Sequence, residues 1–144
     1  MRILTAAALS LALLSPTLAS AKTAEATLYK NPQCGCCEGH AEHLRANGIP
    51  VKVVASHDLP LLKQAHGVPV ELAGCHTALI DGYVVEGHVS ADTIKRLLAE
   101  RSAVKGISLP GMPLGSPGME GPKGEPFQIY AFGGAAEPTV FATE

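Results

Sequence analysis

The stretch "LYKNPQCGCCEGHAEH", residues 28–43, places three of the four cysteines of the chain within four positions, at Cys34, Cys36 and Cys37. The preceding residues "ATLYK" (26–30) alternate as a strand does, and a helix is predicted from about Cys36 to Ala46. Backbone N–H groups at the start of a helix stabilise thiolate, the form of cysteine that attacks disulfides and binds metal. The position of the cysteines therefore indicates thiol chemistry without choosing between these two uses.

The spacing of the cysteines bears on whether they carry out disulfide chemistry or bind a metal. Cys34 and Cys37 have the C-x-x-C spacing of a dithiol redox pair, and they are the redox candidates, but Cys36 lies between them. An oxidoreductase has no need of that third thiol, which would allow scrambled disulfides. Clustered thiolates favour Cu(I), whereas structural zinc sites usually draw on paired C-x-x-C motifs, and here the fourth cysteine, Cys75, stands alone. The cluster thus favours copper.

The rest of the chain shows local patterns of strands and helices. Strand-forming residues occupy 51–56, Asp58 and Pro60 open a helix that Gly67 ends, and "HTALIDGYVVEGHV" (76–89) predicts a hairpin around Asp81-Gly82. Ser90 then caps a helix that runs to about Arg101. The predicted order is β-α-β-α-β-β-α, in which a helix joins the first two strands and so requires them to be parallel.

This order, with cysteines between the first strand and the first helix, is that of the α/β thioredoxin-like fold. The loop before the third strand of that fold packs against the cysteine loop and normally presents a cis-proline. This chain has Gly74-Cys75-His76-Thr77 there, with no proline. We therefore expect Cys75 to face the other three cysteines, with His76 beside it, a departure that favours metal binding.

The N-terminal residues 1–21 have the pattern of a signal peptide. Arg2 precedes an apolar run, and the segment closes on the small residues Ala19-Ser20-Ala21 that a signal peptidase cuts. The run is short for a permanent membrane span, so we expect a mature protein that is exported to the periplasm and does not span a membrane. The formal net charge is −2 and basic residues are scattered, so the sequence indicates no nucleic-acid partner.

A change in composition divides the exported chain into a thioredoxin-like metal-binding domain, 22–104, and a Gly/Pro/Met-rich extension, 105–144. The extension holds 8 of the 15 glycines and 6 of the 11 prolines, so "LPGMPLGSPGMEGPKGEP" is expected to form neither a helix nor a central strand. Residues 127–132 and 138–142 could make a small hairpin around Gly133-Gly134 that packs on the domain.

Histidines and methionines supply further candidate ligands. His40 follows the cysteines by one helical turn, and could ligate, hydrogen-bond a sulfur or lie on a solvated helix face. His88 ends the hairpin and could point either way. Met112 and Met119, in a repeated Pro-Gly-Met, offer thioethers suited to Cu(I), or else tuck the extension onto the domain. Export also leaves open two structural disulfides, for instance Cys34–Cys37 and Cys36–Cys75.

The motifs "LYKNPQCGCCEGHAEHLRANG", "GVPVELAGCHTALIDGYVVEGHVSADTIKRLLAE" and "GISLPGMPLGSPGME" resemble the CopG-like family of exported copper-resistance proteins. The resemblance covers roughly residues 26–120. It implies a thioredoxin-like fold that carries copper as a multinuclear Cu(I)–thiolate cluster, with a role in copper redox chemistry. It also implies the ligands, which would be Cys34, Cys36, Cys37 and Cys75.

A weaker likeness points to another class. "LYKNPQCGCC" is similar to the motif of arsenate-reductase-like thioredoxin relatives, in which one cysteine attacks an oxyanion. Such enzymes need basic residues around the anion, and here Lys30 is the only nearby permanent cation. The sequence therefore favours an exported, monomeric copper protein that sequesters Cu(I) or interconverts Cu(I) and Cu(II), with other exported copper-handling proteins as partners. The alternative is a thiol-disulfide oxidoreductase of the thioredoxin-like class.

Overall fold

The computed structural model describes residues 24–134 and 136–144. The predicted signal peptide, residues 1–21, lies outside the described residues. Among the residues that were described, no helix has the length and apolar character needed to cross a membrane.

The described chain folds into three α-helices and seven strands. Their bounds are β1 (Ala26–Lys30), α1 (Gly35–Ala46), β2 (Val51–Ala55), α2 (Leu59–Ala65), β3 (His76–Ile80), β4 (Tyr83–Glu86), α3 (Ala91–Glu100), β5 (Gly106–Ser108), β6 (Gln128–Phe132) and β7 (Thr139–Thr143). A short 3₁₀ turn, Val70–Leu72, lies between α2 and β3. From β1 to α3 the elements follow one another as β-α-β-α-β-β-α.

All seven strands belong to one mixed sheet, in the order β2-β1-β3-β4-β5-β6-β7. β1 pairs in parallel with β2, as the helical connection requires, and antiparallel with β3. β4 pairs antiparallel with β3 and in parallel with β5, and the last two strands continue antiparallel. The protein is therefore a mixed α/β fold in which β1, the strand that leads to the cysteines, lies between β2 and β3.

The predicted Asp81-Gly82 turn and Ser90 cap are confirmed, whereas Asp58 precedes α2 without a side-chain cap hydrogen bond. Asp81 and Gly82 both have positive φ, 48° and 84°, as a tight hairpin turn with right-handed strand twist requires. The Ser90 side chain accepts a hydrogen bond from the N–H of Thr93 at 3.2 Å and so caps α3. These two features fix the hairpin β3–β4 and the helix that follows it.

Strand β5 is the element that sequence patterns missed. It has only three residues, and it begins at Gly106, where a Cβ atom would lie 2.1 Å from the carbonyl oxygen of Val84. A glycine is needed because β5 runs so close to β4. The residues after 104 therefore continue the same sheet, and the predicted terminal hairpin is present as β6 and β7. Within the described residues no helix or strand interrupts 109–127, as the glycines and prolines predicted.

The main core gathers aliphatic side chains from both helices and sheet. Leu28 of β1, Leu44 of α1 and Leu97 of α3 are buried in one cluster that also contains Cys37. Burying each leucine contributes about 1.5–3 kcal/mol of hydrophobic free energy. Because Cys37 belongs to this cluster, the cysteine loop is anchored in the core at its C-terminal end.

Candidate metal centre

A turn that precedes α1 presents the cysteines. The side-chain oxygen of Asn31 accepts the N–H of Gln33 at 3.0 Å, and the carbonyl oxygen of Asn31 accepts the N–H of Cys34 at 3.0 Å. Asn followed by Pro32 favours such a turn because the side chain imitates a backbone acceptor. Cys34 is the N-cap residue of α1, so the next cysteines stand in its first turn, near the positive end of the helix dipole.

Lys30 closes this loop from inside. Its buried ammonium lies 3.3, 3.4 and 3.2 Å from the carbonyl oxygens of Asn31, Pro32 and Cys34, to which it donates, and 3.2 Å from the carboxylate of Glu38. The cation is therefore engaged by the loop itself. It is not free to hold an oxyanion, which argues against the arsenate-reductase-like interpretation.

The four sulfur atoms lie together, within 4.8 Å of one another. Cys34 and Cys37 form a disulfide, while Cys36 and Cys75 are free thiols. The sulfur of Cys36 lies 3.4 Å from that of Cys34, and the sulfur of Cys75 lies 3.6 Å from that of Cys37. The expectation that Cys75 faces the other three cysteines is confirmed. The alternative of a second disulfide, Cys36–Cys75, is wrong because both thiols are free.

Three histidines are fully buried beside the sulfurs. His40, His76 and His88 have no solvent exposure, so the solvated helix face considered for His40 is excluded, and His88 points inward. Nε2 of His40 lies 2.8 Å from the carbonyl oxygen of Val89, which only accepts, so Nε2 carries the proton. Nδ1 of His40 then accepts the N–H of His76 Nε2, 2.8 Å away.

Hydrogen bonds at one ring nitrogen of His76 and one of His88 leave the other nitrogen of each ring facing Cys75. His76 donates a hydrogen bond from Nε2–H to His40, so its unprotonated Nδ1 faces the Cys75 sulfur at 3.2 Å. His88 donates from Nδ1 to the carbonyl oxygen of Pro117 at 2.7 Å, which leaves Nε2 facing the same sulfur at 2.9 Å. Cys37, Cys75, His76 and His88 thereby form a second group of donor atoms, all within 4.8 Å of one another. Both nitrogens of His40 are engaged in hydrogen bonds, so His40 orients the candidate ligand His76.

Burial keeps these groups uncharged. It lowers the pKa of His40 to about 4 and that of His76 well below its usual value, and it also lowers the pKa of His88. Burial, reinforced by the neighbouring Cys36, raises the pKa of Cys75 to about 12. The imidazoles are therefore in the neutral form that binds metals, and a metal bound by Cys75 would have to displace its proton.

A buried ion pair lies behind the Cys75 loop. The Glu86 carboxylate, which has no solvent exposure, accepts hydrogen bonds from the Gly74 N–H and the Thr77 hydroxyl, each at 2.7 Å, and pairs with Lys63. Burial raises the pKa of Glu86, and the Lys63 ammonium opposes that rise. Sequence reasoning missed both residues because Glu86 reads as the end of a strand and Lys63 as a helix surface residue. No sequence signal links positions 23 residues apart.

One Pro-Gly-Met repeat contacts the residue before Cys75, and the other contacts helix α1 after the cysteines. Gly111 forms a parallel bridge with Gly74, next to Cys75, and Gly118 packs so closely on α1 that a Cβ would lie 2.3 Å from the backbone nitrogen of His40. Met112 is 54% exposed and Met119 is half-buried. The backbone of each repeat thus reaches the site.

The donors that converge here are soft sulfurs and neutral imidazoles on a mixed α/β scaffold, a donor set that suits metal ions rather than phosphate or other oxyanions. Two solved structures of the copper resistance protein CopG, form 2 and form 1, resemble the chain with TM-scores of 0.79 and 0.78. Each is 37% identical to it, and the match covers 85% of this chain and 98% of the other.

A family model matches part of the chain, and a search of curated proteins matches none of it. Residues 72–119 match the model of a family described as a protein of unknown function, DUF411, a range that includes Cys75 and both Pro-Gly-Met repeats. The identity and coverage of the two structures show that this chain belongs to the CopG family of copper resistance proteins.

Proposed function

We propose that the protein is an exported copper-binding protein of copper resistance that holds Cu(I) on the thiolates of Cys34, Cys36, Cys37 and Cys75. The observation that carries the proposal is the convergence of four cysteine sulfurs within 4.8 Å at a helix N-terminus. Membership of a family named for copper resistance supports copper as the metal. One tetrahedral ion takes four ligands, and the four sulfurs together with the imidazoles exceed that number. This excess of donors favours several copper ions bridged by thiolates.

The chemistry of the donors favours Cu(I) over zinc. Three other cysteine sulfurs and the nitrogens of His76 and His88 lie around the sulfur of Cys75, which gives six donor atoms where a closed zinc site uses four. His40 fixes the ring of His76, as metal-binding histidines are commonly fixed through their second nitrogen. Met112 and Met119 are proposed to cover the site, because their repeats contact the residues beside Cys75 and after Cys37.

The disulfide gives the proposal a redox component. Cys34 and Cys37 can act as ligands only after their S–S bond is reduced to two thiolates. In the reverse direction, two Cu(II) ions would each take one electron, the two thiols would lose two protons, and one S–S bond would form as two Cu(I) ions are produced. Oxidation would then leave Cys36, Cys75, His76 and His88 as the donors that remain.

The location and partners follow from the same proposal. The signal peptide predicted at residues 1–21 would deliver a thioredoxin-like monomer to the periplasm, where copper ions are its ligand and other exported copper-handling proteins its donors or acceptors. The position of β1 between β2 and β3, with β4 next to β3, supports the thioredoxin-like assignment.

A second candidate function is thiol-disulfide exchange. The observation that favours it is the Cys34–Cys37 disulfide in C-x-x-C spacing at the start of α1, where a redox dithiol would lie. This function would not need Cys36, whereas the copper site would.

Anaerobic titration of the reduced protein with Cu(I), against a chelator of known affinity, tests the proposal. We expect tight binding of more than one copper per chain, with loss of affinity or stoichiometry in Cys36→Ser and in Cys75→Ser. The matched control is His57→Gln, at an exposed position outside both groups of candidate donors, which should bind as the wild type does. Weak binding, or binding indifferent to both cysteine changes, would return the protein to the disulfide oxidoreductases.

A further inference from the structure

The buried carboxylate of Glu86 has no part in the copper site proposed above, and yet its hydrogen-bond donors other than Lys63 stand on either side of two residues of that site. It accepts from the N–H of Gly74 and from the hydroxyl of Thr77, both at 2.7 Å. Lys63 provides the balancing charge and also donates to Thr77 at 3.1 Å. A buried ion pair is weak evidence for stability, because desolvation offsets its attraction. Its presence therefore calls for another explanation.

The two donors other than Lys63 flank the residues that face the metal. Gly74 immediately precedes Cys75, and Thr77 immediately follows His76. One carboxylate thus holds both ends of a two-residue segment whose sulfur and Nδ1 atoms are candidate ligands. Because Glu86 is on β4, its carboxylate ties Gly74 and Cys75, which precede β3, to the end of the neighbouring strand.

The backbone around Gly74 reinforces this attachment. A Cβ on Gly74 would lie 2.7 Å from the Cα of Gly87, the residue after Glu86, so the loop lies directly against the end of β4. The carbonyl oxygen of His76 accepts the N–H of Gly87 at 3.0 Å. The loop has no proline to restrict its backbone, and hydrogen bonds perform that task instead.

We propose that Glu86, with its charge balanced by Lys63, is a positioning residue that holds Cys75 and His76 in the geometry of metal ligands. The proposal rests on the copper function stated above for its consequence in affinity. It also has a consequence without metal, because the same contacts restrict the Cys75 thiol in the oxidised protein, in which Cys36 and Cys75 are the free cysteines.

Two double variants isolate the hydrogen bond from the charges. Lys63→Met with Glu86→Gln removes both charges and leaves an amide oxygen that can accept from Gly74. Lys63→Met with Glu86→Leu removes the charges and the acceptor together. Both avoid an unpaired buried charge, so the pair differs chiefly in whether the Cys75 loop is attached.

The first measurement is alkylation of the oxidised protein by iodoacetamide, with the ratio of modified Cys75 to modified Cys36 read by peptide mass spectrometry. We expect the Leu double variant to raise this ratio several-fold and the Gln double variant to keep the wild-type ratio. Anaerobic Cu(I) titration should show a loss of about tenfold or more in affinity for the Leu variant alone. A folded Leu variant with wild-type ratio and affinity would overturn the proposal.

The two proposals fail in different ways. If the wild type binds no Cu(I), the copper function fails, while the alkylation ratio still decides the role of Glu86. If the Leu variant does not fold, hydrogen exchange on the wild type tests whether Glu86 holds the Gly74 amide. The Gly74 amide should exchange much more slowly than the amide of the exposed Gly124, and equal rates would contradict attachment by Glu86.

Discussion

Acidification should destabilise the metal-free protein through its buried histidines, and His40 allows the effect to be calculated. Its imidazole is fully buried, with its two nitrogens committed to Val89 and His76. Burial lowers its pKa to about 4 in the folded protein, against 6.5 in the unfolded chain. Between these values the unfolded chain binds a proton that the folded protein does not, so stability falls as pH falls through this window.

The size of the effect follows from the two pKa values. At pH 7.5 neither state is appreciably protonated at His40. At pH 5.0 the unfolded chain is almost fully protonated there and the folded protein is not, which costs about 2 kcal/mol of unfolding free energy. His76 and His88 act in the same direction, because their pKa values are also lowered. Glu86 acts in the opposite direction, because its pKa is raised.

The contribution of His40 is separated from these others by comparison of variants. Urea unfolding of the wild type and of His40→Gln at pH 7.5 and 5.0 should show a decrease that is smaller by about 2 kcal/mol in the variant. His57→Gln, at an exposed position, should keep the wild-type pH dependence. An identical decrease in wild type and His40→Gln would refute the reasoning that the buried, neutral imidazole of His40 makes the fold acid-sensitive.

Two further changes test contacts that residues after position 104 make with the helices, one at Gly118 and one at Glu144. Gly118→Ala should cost about 1–3 kcal/mol of unfolding free energy, because the new Cβ would meet the α1 backbone and because φ there is +83°; urea unfolding checks this, and Gly124→Ala, with open space around it, should change little. Glu144→Ala should cost about 1 kcal/mol, because its carboxylate accepts the hydroxyl of Ser90 at 2.6 Å at the start of α3. Thermal unfolding measures the second change, and a loss no greater than that in the exposed Glu120→Ala would contradict it.

The part of the fold that could be predicted from sequence was the part specified by local patterns. The Asp81-Gly82 turn and the Ser90 cap depend on a few adjacent residues, so both were predicted at the right positions. β5 was not predictable in this way. Its three residues form a strand because they fit beside β4, and Gly106 allows that approach without marking the strand in the sequence.

The candidate site also has parts that adjacent residues specify and parts that only the fold specifies. The cysteine loop is specified by adjacent residues, and Cys75 was expected to face it from the order of elements. The orientation of His88 was not predictable, because the carbonyl group of Pro117 that fixes its ring comes from 29 positions away. Likewise, the sequence marks Glu86 only as the end of a strand, and only the folded sheet shows that its carboxylate accepts the N–H of Gly74.

The histidine contacts also determine when the donor set can exist during folding. His40 meets His76 across 36 residues and Val89 across 49. Closing such loops costs chain entropy before any contact stabilises them, so they form late. A nascent or unfolded chain can offer the neighbouring thiols at 34–37, but it lacks the oriented imidazoles and the facing Cys75. Metal captured by such a chain would therefore be held by local sulfurs alone. The complete set of candidate donors would exist only after the chain has folded.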